Sequence, residues 1–386
     1  MSDTPKKLLF VVNKDEGVFS PSETFLKAHY EGMKCKTTAL IGYPGKRCIN
    51  FNNEHFLLSR KFIPLAFRWL VRNVGGASVA SQDIKALTKF LKKEKIDVVL
   101  AEYGPAAVSV MHACKAAEVP LVSHFHGWDA YTKYNINTYG EAYKELFRCS
   151  TAVIAVSNHM RDQLISLGAD PEKTFHNSCG AELSGWSAAD PGAASKHFVM
   201  VGRLTEKKAP LCSISAFEQL SVKHPDATLE IIGDGPLRED CELMVKNKGL
   251  QDKVSIRGAQ PHTEVMQALG KARCFIQHSV HAADGDHEGT PVAVIEAMGM
   301  GLPVVATRHG GIMDVIHDDS VGLLVDEHDS DGMATAMERF ADNAELAQVV
   351  GERSRERVRS NWTNEKSIDR LWGIVEGAYR SHQLVK

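Results

Sequence analysis

A chain of 386 residues is too long for one ordinary hydrophobic core and about right for two domains. Its 44% apolar and 24% charged residues match a globular protein, and no run approaches the ~18 apolar residues that a membrane-spanning helix requires. The net charge is −3, yet the first 100 residues carry 17 Lys and Arg against 9 Asp and Glu. That excess suggests an anionic partner for the leading part, but it is too weak for nucleic acid and no zinc-finger or RNA-binding signature accompanies it.

The first seven residues lead straight into an apolar strand, without the apolar stretch and cleavage site of a secretory leader. Strands are predicted at 8–12, 36–40, 98–102, 121–124, 152–156 and 173–177. Helices are predicted at 81–95, 106–117 and 158–167. A second series of strands follows at 197–201, 228–232, 254–257, 274–278, 303–306 and 321–325. Continuous apolar runs such as Ala152-Val153-Ile154-Ala155-Val156 suit central strands covered on both faces. Alternation of strands with helices implies parallel sheets and right-handed crossovers, hence an α/β chain of two Rossmann-like layers. The small-residue stretch 184–196, with Gly185, Pro191 and Gly192, is the predicted linker. The expected domains are therefore 1–183 and 197–365, with a final helix over 366–386 packing back on the first. Both sheets should turn the C-terminal ends of their strands to a shared cleft, where a ligand is expected. Eight scattered cysteines with no Cys-x-x-Cys pair point to reduced thiols and the cytoplasm.

The chemistry is most legible in Glu288-Gly289-Thr290-Pro291 through Glu296. Thr290 is a favourable N-cap and Pro291 a favoured first helical residue. Such a helix start offers free amides and a positive dipole end to a diphosphate, and Gly289 lets the backbone come close. Each glutamate can accept two hydrogen bonds from vicinal hydroxyls of a sugar or ribose. Ala293, Val294 and Ala297 make the helix so apolar that Glu296 needs a partner.

These residues resemble the Glu-x7-Glu signature of family 4 of the retaining glycosyltransferases, and Gly299 through Thr307 and His309-Gly310-Gly311 also match its pattern. The resemblance implies the two-domain GT-B architecture, with Glu288 on the donor sugar, the Gly289 and Thr290 amides on sugar and diphosphate, and Glu296 on the ribose. It extends to Val201-Gly202-Arg203-Leu204-Thr205-Glu206-Lys207-Lys208, where Arg203 and Lys208 are the implied phosphate ligands and Lys207 a solvated neighbour. Two cations there would stabilise a departing nucleoside diphosphate. Ile231-Ile232-Gly233-Asp234-Gly235 also fits, although structural tightness alone explains such a turn. In the first half, Phe125-His126-Gly127-Trp128-Asp129 resembles the family's His-Gly-x-Asp turn. That places His126 beside the transferred sugar and leaves Asp129 to orient His126 or to meet the acceptor. The loop after the first strand departs from the family's Gly-Gly pair, because only Gly17 is present. Its Ser22-Glu23-Thr24-Phe25 start resembles the subset that builds bacterial surface polysaccharides.

By the same resemblance, transfer proceeds with retention, on a saccharide or polyprenyl-linked acceptor. A UDP-sugar is expected ahead of a GDP-sugar. No cofactor or metal is expected, because Asp284-Gly285-Asp286 lacks the single-domain setting of metal-binding Asp-x-Asp motifs. The basic and aromatic segment 59–72 reads either as an ordinary helix or as a peripheral contact with anionic lipid at the inner face of the cytoplasmic membrane. The competing functions are another reaction on the same architecture, such as epimerisation, and a non-catalytic nucleotide-sugar-binding subunit.

Overall fold

A computed structural model describes residues 4–12, 24–41, 48–49, 55–56 and 79–385. Gly17 and the segment 59–72 lie outside the described residues.

The first domain is built on β1 (Lys7–Val12), β2 (Lys36–Ile41), β3 (Cys48–Ile49), β4 (His55–Phe56), β5 (Val98–Glu102), β6 (Leu121–Phe125), β7 (Ala152–Ala155) and β8 (Thr174–His176). Their order in the sheet is β4-β3-β2-β1-β5-β6-β7-β8. All pairings are parallel except those of the two-residue strands β3 and β4. The second sheet holds β9 (His197–Val201), β10 (Thr228–Ile232), β11 (Val254–Ile256), β12 (Cys274–Gln277), β13 (Val304–Thr307) and β14 (Leu323–Val325), ordered β11-β10-β9-β12-β13-β14 and wholly parallel. Every residue of β5, β6, β12 and β13 is buried, which is why these strands read as unbroken rather than alternating runs.

In each sheet the first strand has neighbours on both sides, so the strand order reverses beside β1 and beside β9. Ligand crevices form outside the carboxyl ends of the strands at such reversal points. The loops after β5, β6, β9, β12 and β13 meet there. Helices α1 (Thr24–Gly32), α2 (Val79–Glu94), α3 (Gly104–Ala117), α4 (Trp128–Tyr131), α5 (Lys133–Cys149) and α6 (Asn158–Ser166) cover the first sheet. Around the second lie α7 (Pro210–Lys223), α8 (Arg238–Asn247), α9 (His262–Lys271), α10 (Val292–Met300), α11 (Ile312–Val315), α12 (Ser330–Asp342) and α13 (Ala344–Asn361).

The chain passes between the domains twice, and the two crossings are stitched together. Ala181 N donates to Trp362 O at 2.9 Å and Asn364 N to Ala181 O at 3.0 Å. Gly180 must lack a side chain there, since a Cβ would sit 2.4 Å from the Thr363 carbonyl oxygen. After that crossing α14 (Asn364–Val385) buries Leu371, Trp372, Val375 and Ala378 against Leu8, Phe10, Val98, Leu100 and Val122 of the first sheet. Fully burying aliphatic or aromatic side chains is worth roughly 1.5–3 kcal/mol each, so this helix fastens the last part of the chain to the first domain. Among the described residues no helix is long and apolar enough to cross a membrane.

Candidate donor-binding cleft

Between the two sheets lies a cleft of about 1260 Å³. His126 and Tyr103 line it from the first domain; Arg203, Lys208, Glu288, Thr290 and Glu296 line it from the second. The structure thus gathers His126, Arg203, Lys208, Glu288, Thr290 and Glu296 in one cavity, while Gly289, Pro291 and Asp129 do not line it.

Glu288 follows β12 and is only 6% exposed. Its Oε2 accepts from Lys208 Nζ at 2.6 Å, from Ser279 Oγ at 3.3 Å and from Gln277 Nε2 at 3.4 Å. None of these bonds uses Oε1. Burial pushes the Glu288 carboxyl up, but the Lys208 and Lys207 ammonium groups outweigh it and hold the group below its ordinary range. Burial likewise lowers Lys208, against the pull of Glu288. The Glu288 backbone is braced as well, since its N–H donates to His309 Nε2 at 3.1 Å while His309 Nδ1 sits 2.6 Å from Glu327 Oε1. His309 therefore carries its proton on Nδ1, toward the carboxylate.

Lys207 is not a solvated neighbour. It is 9% exposed, pairs with Asp286 Oδ2 at 2.9 Å and donates to His287 O at 3.2 Å. Two adjacent lysines in a 3-10 turn (Glu206–Lys208) diverge, so one anchors the loop and the other faces Glu288. Asp286 is thereby committed to a lysine, and Asp284 accepts from the Asp286 amide at 2.9 Å. Arg203, just after β9, is exposed in the cleft and has no ion pair among the described residues. It is the cation left to meet an incoming anion.

The helix after Glu288 starts differently from the expected cap. Helical geometry begins at Val292, Pro291 occupies the cap position, and no side chain caps the amides. Ser157 on α6 and Thr132 on α5 do cap their helices. The Thr290 hydroxyl is used elsewhere: it donates to Val156 O at 3.1 Å and accepts from Cys179 N at 3.1 Å, both in the first domain. Thr290 is a clip between domains, and α10 keeps an uncapped, positive end at the cleft. Gly289 has a matching role, since a Cβ there would lie 2.5 Å from His126 O. The close approach that requires glycine is thus to the facing loop of the other domain.

Glu296 lies about one turn along α10, 9% exposed. The partner that its apolar helix demanded is His262, whose Nε2 is 2.9 Å from Glu296 Oε1. That hydrogen bond raises the His262 imidazole above its ordinary value. Nothing in the local sequence marks His262, because the contact joins two helices 34 positions apart. The turn Gly233-Asp234-Gly235 is explained by packing. A Cβ on Gly233 would fall 1.8 Å from Gly202 O, and one on Gly235 2.5 Å from Leu204 O.

Asp129 does not reach the cleft, which corrects its placement on the acceptor side. It is fully buried, and its carboxylate accepts from His126 N at 2.9 Å, Gly127 N at 3.1 Å and Gly104 N at 2.8 Å. Burial pushes its carboxyl up to about 6, against the lowering effect of those amides. Asp129 pins the turn that carries His126. Gly127 takes a φ of +129°, open to glycine, and Tyr103 opposite holds a φ of +74°, which is costly for an aromatic residue.

A two-domain parallel α/β chain with this cleft has the GT-B glycosyltransferase architecture. Residues 191–357 match the family model described as "Glycosyl transferases group 1", and residues 54–184 match "Glycosyltransferase Family 4". WcaL of Escherichia coli (strain K12), a provisional colanic acid biosynthesis glycosyltransferase, is 34% identical over 285 residues, 72% of this chain and 69% of WcaL. The amylovoran biosynthesis glycosyltransferase AmsK of Erwinia amylovora is 28% identical over 72% of this chain and 70% of its own. The chain belongs to this glycosyltransferase family. Among solved structures, Anabaena HepE in complex with UDP superimposes with a TM-score of 0.73 at 18% identity, covering 96% of this chain and all of HepE.

Proposed function

We propose that this chain is a retaining, metal-independent hexosyltransferase that moves a sugar from a UDP-linked donor to a saccharide or lipid-linked saccharide in the assembly of a surface polysaccharide. The observation that carries this reading is the buried Lys208–Glu288 pair beside the exposed Arg203 and the uncapped start of α10. Together they form a polarised groove: cations and free amides suit a diphosphate, with carboxylates on either side of it for hydroxyls. Glu288 takes the sugar, Arg203, Lys208 and the Gly289–Thr290 backbone take the diphosphate, and Glu296 takes the ribose.

With a phosphate oxygen of the donor receiving the acceptor proton, the protein supplies position and charge stabilisation rather than a nucleophile. Glu288 suits a hydroxyl ligand better than a nucleophile, since a lysine occupies Oε2. Four relatives support the substrates. HepE was solved with UDP and with UDP-glucose. A related Escherichia coli enzyme, 26% identical, is a UDP-Gal:alpha-D-GlcNAc-diphosphoundecaprenol alpha-1,3-galactosyltransferase, and WcaL and AmsK are named for surface polysaccharides. With an acceptor of that kind, the enzyme would work at the cytoplasmic face of the membrane.

The test is thermal unfolding with UDP, GDP, ADP and their hexose conjugates. A uridine conjugate at 100 times its dissociation constant should add ~2.7 kcal/mol of stability. Stabilisation by guanosine compounds alone would refute the UDP assignment, and no shift with any member would refute the donor site.

A further inference from the structure

Glu102, the last residue of β5, ends a run of buried apolar residues with a carboxylate that has no exposure at all. A buried charge of this kind persists only with close partners. Three imidazoles surround it. His29 Nδ1 on α1 lies 3.0 Å from Oε1, His126 Nε2 lies 2.5 Å from Oε2, and His124 Nδ1 lies 3.0 Å from Oε2 but out of hydrogen-bonding alignment. His29 is 2% exposed and stacks on His124 with ring centroids 5.2 Å apart. The His126 ring is enclosed by Phe25 at 4.6 Å, Tyr103 at 4.9 Å and His124 at 4.3 Å. His126 nevertheless lines the cleft.

We propose that Glu102 is a positioning residue for His126: its Oε2 accepts the Nε2 proton, so that Nδ1 faces the cleft as a hydrogen-bond acceptor for a hydroxyl of the donor sugar. This rests on the reading that the cleft binds a nucleotide sugar.

The charge balance is consistent with that geometry. Although burial opposes it, the Glu102 carboxylate raises His29 to about 10, so His29 is an imidazolium that neutralises Glu102. Burial, with His124 and His29 nearby, lowers His126 to about 3. His126 is then neutral at physiological pH and holds one proton, and the ionised Glu102 can use that proton only on Nε2. His126 does not act as a general acid. It reads one hydroxyl orientation, and a hydroxyl replaced by hydrogen would lose that contact.

The test is nitrogen NMR of the full chain labelled with 15N-histidine, with His126 assigned by the signal lost in His126→Asn. Wild type at neutral pH is expected to show a protonated Nε2 and an unprotonated Nδ1, without any donor present. A proton on Nδ1, an imidazolium, or stoichiometric zinc in the purified protein with Nε2 bound to it would overturn the proposal. In Glu102→Gln the fixed pattern should give way to mixed tautomers, and transfer should fall by about tenfold to a hundredfold. Adding Glu102→Gln to His126→Asn should lower transfer no further. Full additivity would show that Glu102 acts by another route. The wild-type spectrum needs no donor, so a failed donor assignment and a failed tautomer assignment give different results.

Discussion

Glu288→Gln is expected to lower kcat by about 10²–10³-fold while leaving the affinity for the free nucleoside diphosphate intact or improved. The change keeps the shape of the side chain but removes the counter-charge of a buried lysine 2.6 Å away. In the free protein this leaves Lys208 uncompensated, which costs about 3–5 kcal/mol when a buried pair is broken. A bound diphosphate brings its own negative charge to Lys208, so it should stabilise the variant more than it stabilises wild type. The sugar contact cannot be replaced in that way, and the loss therefore falls on the chemical step. Calorimetric binding of UDP and thermal unfolding with and without it measure both effects. The pH dependence has a definite sign. The folded-state carboxyl of Glu288 is held below its ordinary value of 4.5. Its contribution to stability is thus present above that value and lost as pH falls through the folded one. The stability difference between wild type and Glu288→Gln should accordingly shrink on acidification below about 4.5.

Gly289→Ala is expected to abolish transfer by displacing the donor loop. A Cβ at Gly289 would stand 2.5 Å from His126 O and 3.0 Å from a Val156 methyl, both in the first domain. The carbonyl belongs to a turn pinned by the three amide bonds to Asp129, so it has little freedom to retreat. The other side is equally tight, because Gly311 has no room for a Cβ within 1.9 Å of Gly289 O. Overpacking of this kind costs about 1–3 kcal/mol, and it acts on Glu288, Thr290 and His126 together. Transfer should fall about 100-fold or more, since an ångström of misplacement has that effect. Nucleotide affinity should weaken in parallel. A fully active Gly289→Ala protein would show that the two loops part in the working enzyme.

The strands were legible because burial on both faces leaves continuous apolar runs. Strand predictions at 98–102, 197–201 and 228–232 match the observed bounds. The start of α10 was less legible. Thr290 followed by Pro291 is a sound local cap pattern, but the hydroxyl is taken by Val156 and Cys179. Those partners are more than 100 positions away, so no local pattern could reveal the competition. Lys207 was misjudged in the same way, because which of two adjacent lysines is anchored depends on where Asp286 and Glu288 fall in space. Glu102 carried one usable signal: an acid ending the otherwise apolar Val98-Val99-Leu100-Ala101 run must be paired if it is buried. Its histidine partners come from two places in the chain, and only His126 stood out in the sequence. His262 carried no signal beyond the demand of Glu296 for a partner.

The donor's direction along α10 is tested most directly by calorimetry of UDP and of the stabilising UDP-hexose on wild type, Glu288→Gln and Glu296→Ala. His262, the Glu296 partner, is 44% exposed, so removing Glu296 strands no buried charge. Glu296→Ala should weaken UDP and the conjugate by the same factor, about tenfold for a lost charged hydrogen bond. Glu288→Gln should remove only the extra affinity that the sugar confers, leaving UDP and the conjugate bound alike. The reverse pattern, with Glu288→Gln weakening both ligands and Glu296→Ala only the conjugate, would contradict the assignment of sugar to Glu288 and ribose to Glu296.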